Sequence, residues 1–245
     1  MTKYPINYEN LKILSYNIYY KSMLGIDSRF LPQKQAHKNV SNVLDNNYDI
    51  IALQEVECLD KIFQDKLDRY NIINGKSGPE TLTIIIKKEF KIKKHKMTEF
   101  DSGRGILLVL LHNNILLVNI HAPHNYNDFG NYNGTLEKNQ TKYEAEFINI
   151  LNQRINNFLN FEELNRIIIM GDFNEALKNK NKFDLIINNK KFILKTDSDK
   201  PLTCCNNNFI KPNDLIYDSK YISKLYIPPV KEPASDHLPV ATLLN

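Results

Sequence analysis

Tryptophan is absent from the 245 residues, and cysteine is confined to Cys58, Cys204 and Cys205. An odd number of cysteines, two of them adjacent and poorly placed to bridge one another, excludes a disulfide framework and points to a reducing compartment. No apolar run approaches the ~20 residues that a bilayer-spanning helix needs. The opening Met1-Thr2-Lys3-Tyr4-Pro5 has no apolar signal-peptide core. These absences predict a soluble intracellular protein, cytoplasmic or nuclear, with no membrane partner. Internal repeats and Gly/Ser/Pro-rich linkers are also missing, so one domain covering residues 1–245 is expected, as a monomer. A large charge of either sign is lacking too: 32 Lys and Arg against 28 Asp and Glu leave +4, which permits a polyanionic partner without requiring one. The excess of Asn, Lys and Ile fits an AT-rich genome, and single lysines therefore carry little weight.

What is present is an ordinary globular composition, 42% hydrophobic and 24% charged, which excludes wholesale disorder. Arg166-Ile167-Ile168-Ile169-Met170-Gly171-Asp172-Phe173-Asn174 is a β-branched run, too short for a helix, that stops on a glycine, a carboxylate and an amide. It reads as a buried strand with polar groups at its exit, where α/β proteins place their sites. A turn made by Gly171, Asp172 and Asn174 bonding their own backbone explains the same residues. The rest of the chain repeats the pattern. Leu11 to Ile18 is a strand with Asn17 near its end, and Asp49 to Val56 is a strand that finishes on Glu55. Between them, Ala36, Val40, Val43 and Leu44 share one face of a helix that starts at Gln33 and ends near Asn46-Asn47. Lys61 to Tyr70 predicts a short helix, and Thr81 to Ile86 another strand. Ile106 to Leu111 and Ile115 to Ile120 flank His112-Asn113-Asn114 as a hairpin, whose second arm runs into His121-Ala122-Pro123-His124. A polar loop follows at 125–133, then a helix over Lys142 to Leu159. Phe183 to Ile187, Lys190 to Leu194, Asp214 to Tyr217 and Val240 to Leu243 are further short elements.

Polar residues at these strand ends, with Ser235-Asp236-His237-Leu238-Pro239 near the C-terminus, form an ordered set. Tyr16-Asn17, Gln54-Glu55, Ile120-His121-Ala122-Pro123, Gly171-Asp172-Phe173-Asn174, Asp214-Leu215-Ile216-Tyr217 and Ser235-Asp236-His237 together resemble the endonuclease/exonuclease/phosphatase superfamily, from Ile13 to the C-terminus. The resemblance implies an α/β DNase I-like four-layer sandwich, two packed mixed β-sheets flanked by helices, with a divalent-metal site at its end. It makes Glu55 the main ligand of Mg²⁺, or of Mn²⁺ in its place, with Asn17 and Asp236 close to the ion; hard oxygen donors suit such ions. Asp172 resembles the carboxylate that orients the attacking water, and Asn174 the amide that holds the phosphate. His237 with Asp214 resembles a histidine fixed by a carboxylate, and His121 a second histidine facing the leaving oxygen. Glu80 stands where that branch pairs an acid with the second histidine. Arg104, between Gly103 and Gly105, is a candidate phosphate contact, although a turn accounts for the glycines; His124 reads as a loop residue.

The tryptophan-led motif of abasic-site endonucleases and the Trp-Cys-Asp-Arg of inositol 5-phosphatases are missing. Leu53-Gln54-Glu55-Val56-Glu57 and Ser235 to Pro239 are similar to deadenylase-like and 2′-phosphodiesterase-like members, whereas His121-Ala122-Pro123 leans toward DNase I. The resemblance implies a Mg²⁺-dependent nuclease or phosphodiesterase acting on nucleic acid, DNA or RNA. The alternatives are a phosphatase or phosphodiesterase for a small molecule, lipid headgroup or protein–nucleic acid adduct, and a binding scaffold without catalysis.

Overall fold

The computed structural model describes residues 9–27, 29–63, 68–77, 80–124, 136–177, 179–205 and 209–244. In chain order the elements are β1 (Leu11–Asn17), α1 (Tyr20–Met23), α2 (Gln33–Leu44), β2 (Ile50–Gln54), α3 (Leu59–Ile62), β3 (Tyr70–Ser77), β4 (Glu80–Lys87), β5 (Ile92–Glu99), β6 (Gly105–Leu111), β7 (Ile115–His121), α4 (Leu136–Leu159), β8 (Arg166–Asp172), β9 (Lys182–Ile187), β10 (Lys190–Lys195), β11 (Asp214–Asp218) and β12 (Val240–Leu244). Five strands form one sheet in the order β12-β1-β2-β4-β3, and seven form the other in the order β5-β6-β7-β8-β11-β10-β9. Both sheets are mixed, because β1 runs parallel to β2 and β7 parallel to β8 while their other pairings are antiparallel.

The strands alternate their side chains between two apolar layers, as a period of two requires. Leu11, Ile13, Ile50, Ala52, Ile84 and Ile86 point inward against the seven-stranded sheet, while Leu14, Tyr16, Ile51, Leu53 and Ile85 point outward onto Ala36, Val40, Val43 and Leu44 of α2. On the far side, α4 lays Tyr143, Phe147, Leu151, Ile155 and Phe158 on the outer face of the second sheet. The layers are therefore helix, sheet, sheet, helix, as the sequence resemblance implied.

Two strands were not legible. Helix α3 stops at Ile62, and Tyr70, expected to end that helix, instead opens β3, which pairs with β4 along its whole length from Tyr70↔Lys87 to Ser77↔Glu80. A continuous ladder satisfies the backbone groups that face β4 and overrides the local preference of the segment. Strand β5, Ile-Lys-Lys-His-Lys-Met-Thr-Glu, has no apolar alternation because it is an edge, where lysines blunt pairing with other chains. Lys93 and Lys94 of that strand reach Glu162 at 2.5 and 2.9 Å. The β9–β10 hairpin turns on Asn188 and Asn189, at φ 49° and 65°, the left-handed pair that two-residue hairpins demand. The expected loop at 125–133 lies outside the described residues.

The β7–β8 and β8–β11 ladders position the chemistry. At one end of the β8–β11 ladder, Arg166 Nη2 meets Asp218 Oδ2 at 2.5 Å in a buried ion pair. At the other end Gly171, at φ +146°, passes so close to β7 that an added Cβ stands 2.1 Å from the Ile120 carbonyl oxygen. No side chain fits there, and the next residue, Asp172, is thereby pressed against His121. Gly171→Ala is expected to cost more than about 3 kcal/mol, since both the strain and the clash fall on backbone. Urea denaturation measures it, and a loss under about 1 kcal/mol contradicts this packing.

Candidate active site

Strand ends from both sheets converge at one edge of the sandwich. In register, His121 of β7 lies beside Asp172 of β8, and Asp172 beside Asp214 of β11. In the other sheet Asn17 of β1 lies beside Gln54 of β2, so Glu55 is the first residue past the ladder. Glu55 leaves with φ 53° and Asn174 with φ 48°, left-handed conformations that cost energy for a side chain such as glutamate and turn both chains toward the cleft.

The centre is Asp172, which is buried. Its Oδ2 accepts a hydrogen bond from Asn17 Nδ2 at 3.1 Å and lies 3.5 Å from His121 Nε2 and 3.6 Å from His237 Nε2. Its Oδ1 accepts the Asn174 backbone N–H at 2.8 Å. Burial opposes ionisation of Asp172, yet the two imidazoles and these two donors outweigh it and hold the carboxyl below its usual range. Asn17 Nδ2 also donates to Glu55 Oε1 at 3.3 Å, and Glu55 Oε1 lies 3.9 Å from His121 Nε2.

His237 Nδ1 pairs with Asp214 Oδ2 at 2.8 Å, leaving Nε2 toward Asp172. Burial pulls the imidazolium down, but Asp214, Asp172 and the hydrogen bond push it up to about 10. Burial pushes the Asp214 carboxyl up against the pull of His237, and the charge of Asp172 adds to it. Both members are placed by residues that the sequence reading did not assign. Ser235 Oγ donates to the Asn17 carbonyl at 2.7 Å and accepts the His237 N–H at 3.1 Å, fastening the C-terminal motif to β1. Thr203 Oγ1 accepts the Asp214 N–H at 3.0 Å, and the Thr203 carbonyl accepts the Leu238 N–H at 2.8 Å. Ser235 stood inside a recognised motif; a lone threonine in a loop carries no signal.

Next to Thr203, the sulfurs of Cys204 and Cys205 are in contact across a cis peptide bond.

Asn174 Nδ2 donates to the Ala122 carbonyl at 2.7 Å, tying the exit of β8 to the exit of β7. An amide carries two N–H groups, so one remains for the phosphate role that the resemblance implies. Asp236 has a buried Oδ1 with no hydrogen-bond partner among the described residues, and burial, assisted by the charge of Asp172, pushes its carboxyl up. An orphaned carboxylate oxygen, the 16% exposed Glu55 side chain and the Asn17 amide are hard oxygen donors, the chemistry that suits Mg²⁺ or Mn²⁺. Among the described residues the groups whose donor atoms lie within 4.8 Å of one another are Asp172, Asp214 and His237, two of them engaged with each other, and Cys204, Cys205 and His237. The side chain of Glu80 lies outside the described set.

Arg104 reaches the site from the β5–β6 turn. Its Nη1 lies 2.9 Å from Nε2 and 3.0 Å from Nδ1 of His121, so the guanidinium stands across the ring, and its Nη2 lies 2.7 Å from His124 Nε2. His124, expected as a plain loop residue, is therefore part of the cleft wall. Among the described residues no helix is long and apolar enough to cross a membrane.

No protein-family model matches the sequence, and no curated protein matches it significantly. Solved structures do. TDP2 from C. elegans aligns over 96% of this chain and 75% of its own at 21% identity, with a TM-score of 0.63. The mannosyl-6-phosphatase Bt3783 of Bacteroides thetaiotaomicron aligns over 96% of this chain and 100% of its own at 18% identity, TM-score 0.61. D. rerio TDP2 complexed with single-strand DNA product aligns over 96% and 99% at 13% identity, TM-score 0.63. These likenesses establish the fold, a DNase I-like sandwich of two packed mixed β-sheets with helices.

The charge of His237 has a consequence for stability. A histidine raised from 6.5 to about 10 adds stability that is complete below pH 6.5 and disappears as the pH climbs through about 10. Unfolding free energy is expected to fall across that window in the wild type and to slope less in Asp214→Asn. Urea titrations at pH 6, 8 and 10 test this, and equal slopes place the charge elsewhere.

Proposed function

We propose that this chain is a divalent-metal-dependent phosphodiesterase that hydrolyses nucleic-acid phosphodiester bonds by in-line attack of water. The observation that carries the reading is the ionised Asp172, whose Oδ2 sits 3.5 and 3.6 Å from two histidines, one of them backed by a carboxylate at 2.8 Å. A carboxylate held ionised beside a protonated imidazole separates the base from the acid, the arrangement acid–base hydrolysis needs.

Asp172 orients the attacking water and accepts its proton. His237, kept protonated by Asp214, donates from Nε2 to a phosphoryl oxygen and stabilises the charge that builds there. His121 faces the leaving oxygen from the adjacent strand, and the second N–H of Asn174 positions the phosphate. Glu55, Asp236 and Asn17 would hold the divalent ion, which when bound neutralises phosphate and leaving-group charge.

Nucleic acid is favoured as substrate by the guanidinium of Arg104 against His121, and by a neighbour of the same fold that holds single-strand DNA. The second reading, a small-molecule phosphatase, is favoured by the mannosyl-6-phosphatase neighbour. A panel of end-labelled DNA and RNA oligonucleotides beside mannose 6-phosphate and an inositol phosphate, all with Mg²⁺, separates the two. Binding of the Asp172→Asn protein to single strands is expected to weaken with salt, with a log–log slope near −0.7 per phosphate contacted. A flat salt response with faster turnover of the sugar phosphate establishes the second reading.

Removal of divalent ions with EDTA is expected to abolish turnover, and Glu55→Gln to regain part of its activity in excess Mn²⁺. Full activity in EDTA discards the mechanism, and a Glu55→Gln variant indifferent to metal concentration takes Glu55 off the ion.

A further inference from the structure

The two sheets do not close on each other along the whole of their outer edges. β3 ends the five-stranded sheet and β5 ends the seven-stranded one, and these two edge strands lie side by side. Toward the end that carries Asp172 the seam is shut, for a Cβ on Gly75 of β3 stands 2.6 Å from Met97 Sδ of β5. Toward the other end β5 is bulged between Ile92 and Lys94, and a bulge bends its strand. The seam opens there into a groove of about 550 Å³. Its apolar lining is Ile72, Ile73 and Ile92, buried or half-buried. Its polar lining is Asn71, Lys88, Lys91 and His95, the last three exposed.

Lysines on an edge are ordinary, since they deter pairing with other chains. These are set apart by what they face. On the side of β5 turned toward α4, Lys94 Nζ reaches the Phe158 and Leu159 carbonyls and, together with Lys93, Glu162. His95 shares the opposite side with Met97, by the period of two. Neither His95 nor Lys88, Lys91 or Asn71 has a side-chain partner among the described residues. No carboxylate stands among the described lining residues, and Glu89, between the two lysines in sequence, does not face the groove. The turn that carries both lysines is fixed. The Lys88 N–H donates to the Arg69 carbonyl at 2.9 Å, the Lys91 carbonyl accepts the His112 N–H at 2.9 Å, and Phe90 between them is buried.

In register, Asn71 lies beside Ile86 and Ile86 beside Ile50, the start of the strand that delivers Glu55. At about 3.3 Å per residue along the strand and about 4.8 Å per strand sideways, the groove is about 20 Å from Glu55. We propose that it anchors a nucleic-acid single strand, holding phosphates about 20 Å from the one that is hydrolysed. A phosphodiester backbone supplies the repeated negative charge that two unpaired lysines and an imidazole call for, and sugar and base faces suit the three isoleucines. The groove is open rather than enclosed, as a chain passing along it requires. The proposal rests on the nuclease reading above and adds that affinity depends on strand length.

The test compares the double variant Lys88→Gln, Lys91→Gln with wild type on the dinucleotide TpT, too short to reach both places, and on a single strand of about 20 nucleotides, which at about 3.4 Å each spans the distance. Without divalent ion, affinity for the long strand, read by fluorescence anisotropy, is expected to fall roughly three- to tenfold in the variant. Its log–log salt slope is expected to shrink by about 1.4, at about 0.7 for each of two phosphates. Mg²⁺-dependent turnover of TpT is expected to stay unchanged. Equal affinities and slopes overturn the anchoring site, and so does an equal loss on TpT. A wild type that hydrolyses neither substrate removes the nuclease reading instead. The groove is then judged by the ring signals of His95 as the long strand is added: shifts that saturate in wild type and weaken in the variant support it, and unmoved signals refute it. Poly-glutamate that moves these signals at lower concentration than the strand gives the groove to an acidic protein segment and overturns the proposal.

Discussion

A single carboxylate oxygen, Asp172 Oδ2, is the point on which both sheets close. Within 3.1 to 3.6 Å it meets Asn17 from one sheet, His121 from a neighbouring strand and His237 from the C-terminal motif. None of these is near it in sequence; Asn17 is 155 residues away. The contact exists because β7 and β8 run parallel and nearly touch at Gly171, where only a missing side chain lets the backbones approach. Backbone packing and acid–base geometry are one constraint here: moving β8 outward by the width of a methyl group separates Asp172 from His121.

The two sheets also need a fixed register against each other, and apolar side chains slide too easily to supply it. A buried amide pair does so. Gln54 Nε2 donates to Asn119 Oδ1 at 2.7 Å across the sandwich, while Asn119 Nδ2 donates to the Leu53 carbonyl at 2.8 Å and the Thr83 carbonyl at 3.0 Å. Gln54 immediately precedes Glu55, and Asn119 is two residues before His121, so this link sets how far apart those side chains stand. Hydrogen bonds of this kind add only about 1 kcal/mol net each, but a mismatched partner leaves buried donors unpaired at about 1–3 kcal/mol apiece. Its contribution is uniqueness of alignment more than stability.

Strands made mostly of apolar residues with a polar one at an end were readable from the sequence: β1, β2, β7, β8 and β11 have that form, and they carry the centre. β3 and β5 were not, because an edge strand needs polar residues and its evidence is the neighbour it pairs with, which local pattern does not contain. The site divides along the same line. Asn17, Glu55, His121, Asp172 and Asp214 were legible because polar residues at the ends of apolar strands stand out, and His237 because it sits in the Ser-Asp-His motif. Thr203 and His124 make contacts to residues distant in the chain and are ordinary loop types, and the bond of Ser235 to Asn17 is likewise invisible in local pattern.

Four carboxylates, Glu55, Asp172, Asp214 and Asp236, share one end of a chain whose net charge is positive. They are not equivalent, and the differences follow from what surrounds each. Asp172 has two imidazoles and two hydrogen-bond donors, so it stays ionised in spite of complete burial. Asp214 has one imidazole and an oxygen, Oδ1, without a partner among the described residues, so burial prevails and its carboxyl is pushed up. Asp236 is raised by burial and by the charge of Asp172 and likewise presents an orphaned oxygen. A protein gains nothing in stability from leaving such an oxygen bare, because an unpaired buried acceptor costs free energy that any neighbouring N–H would recover. The bare oxygens of Asp214 and Asp236 are therefore the ones, among these four groups, that a cation could use. Because the charge of Asp172 opposes every other negative charge near it, a cation held there would also lower the electrostatic cost of admitting an anionic phosphate.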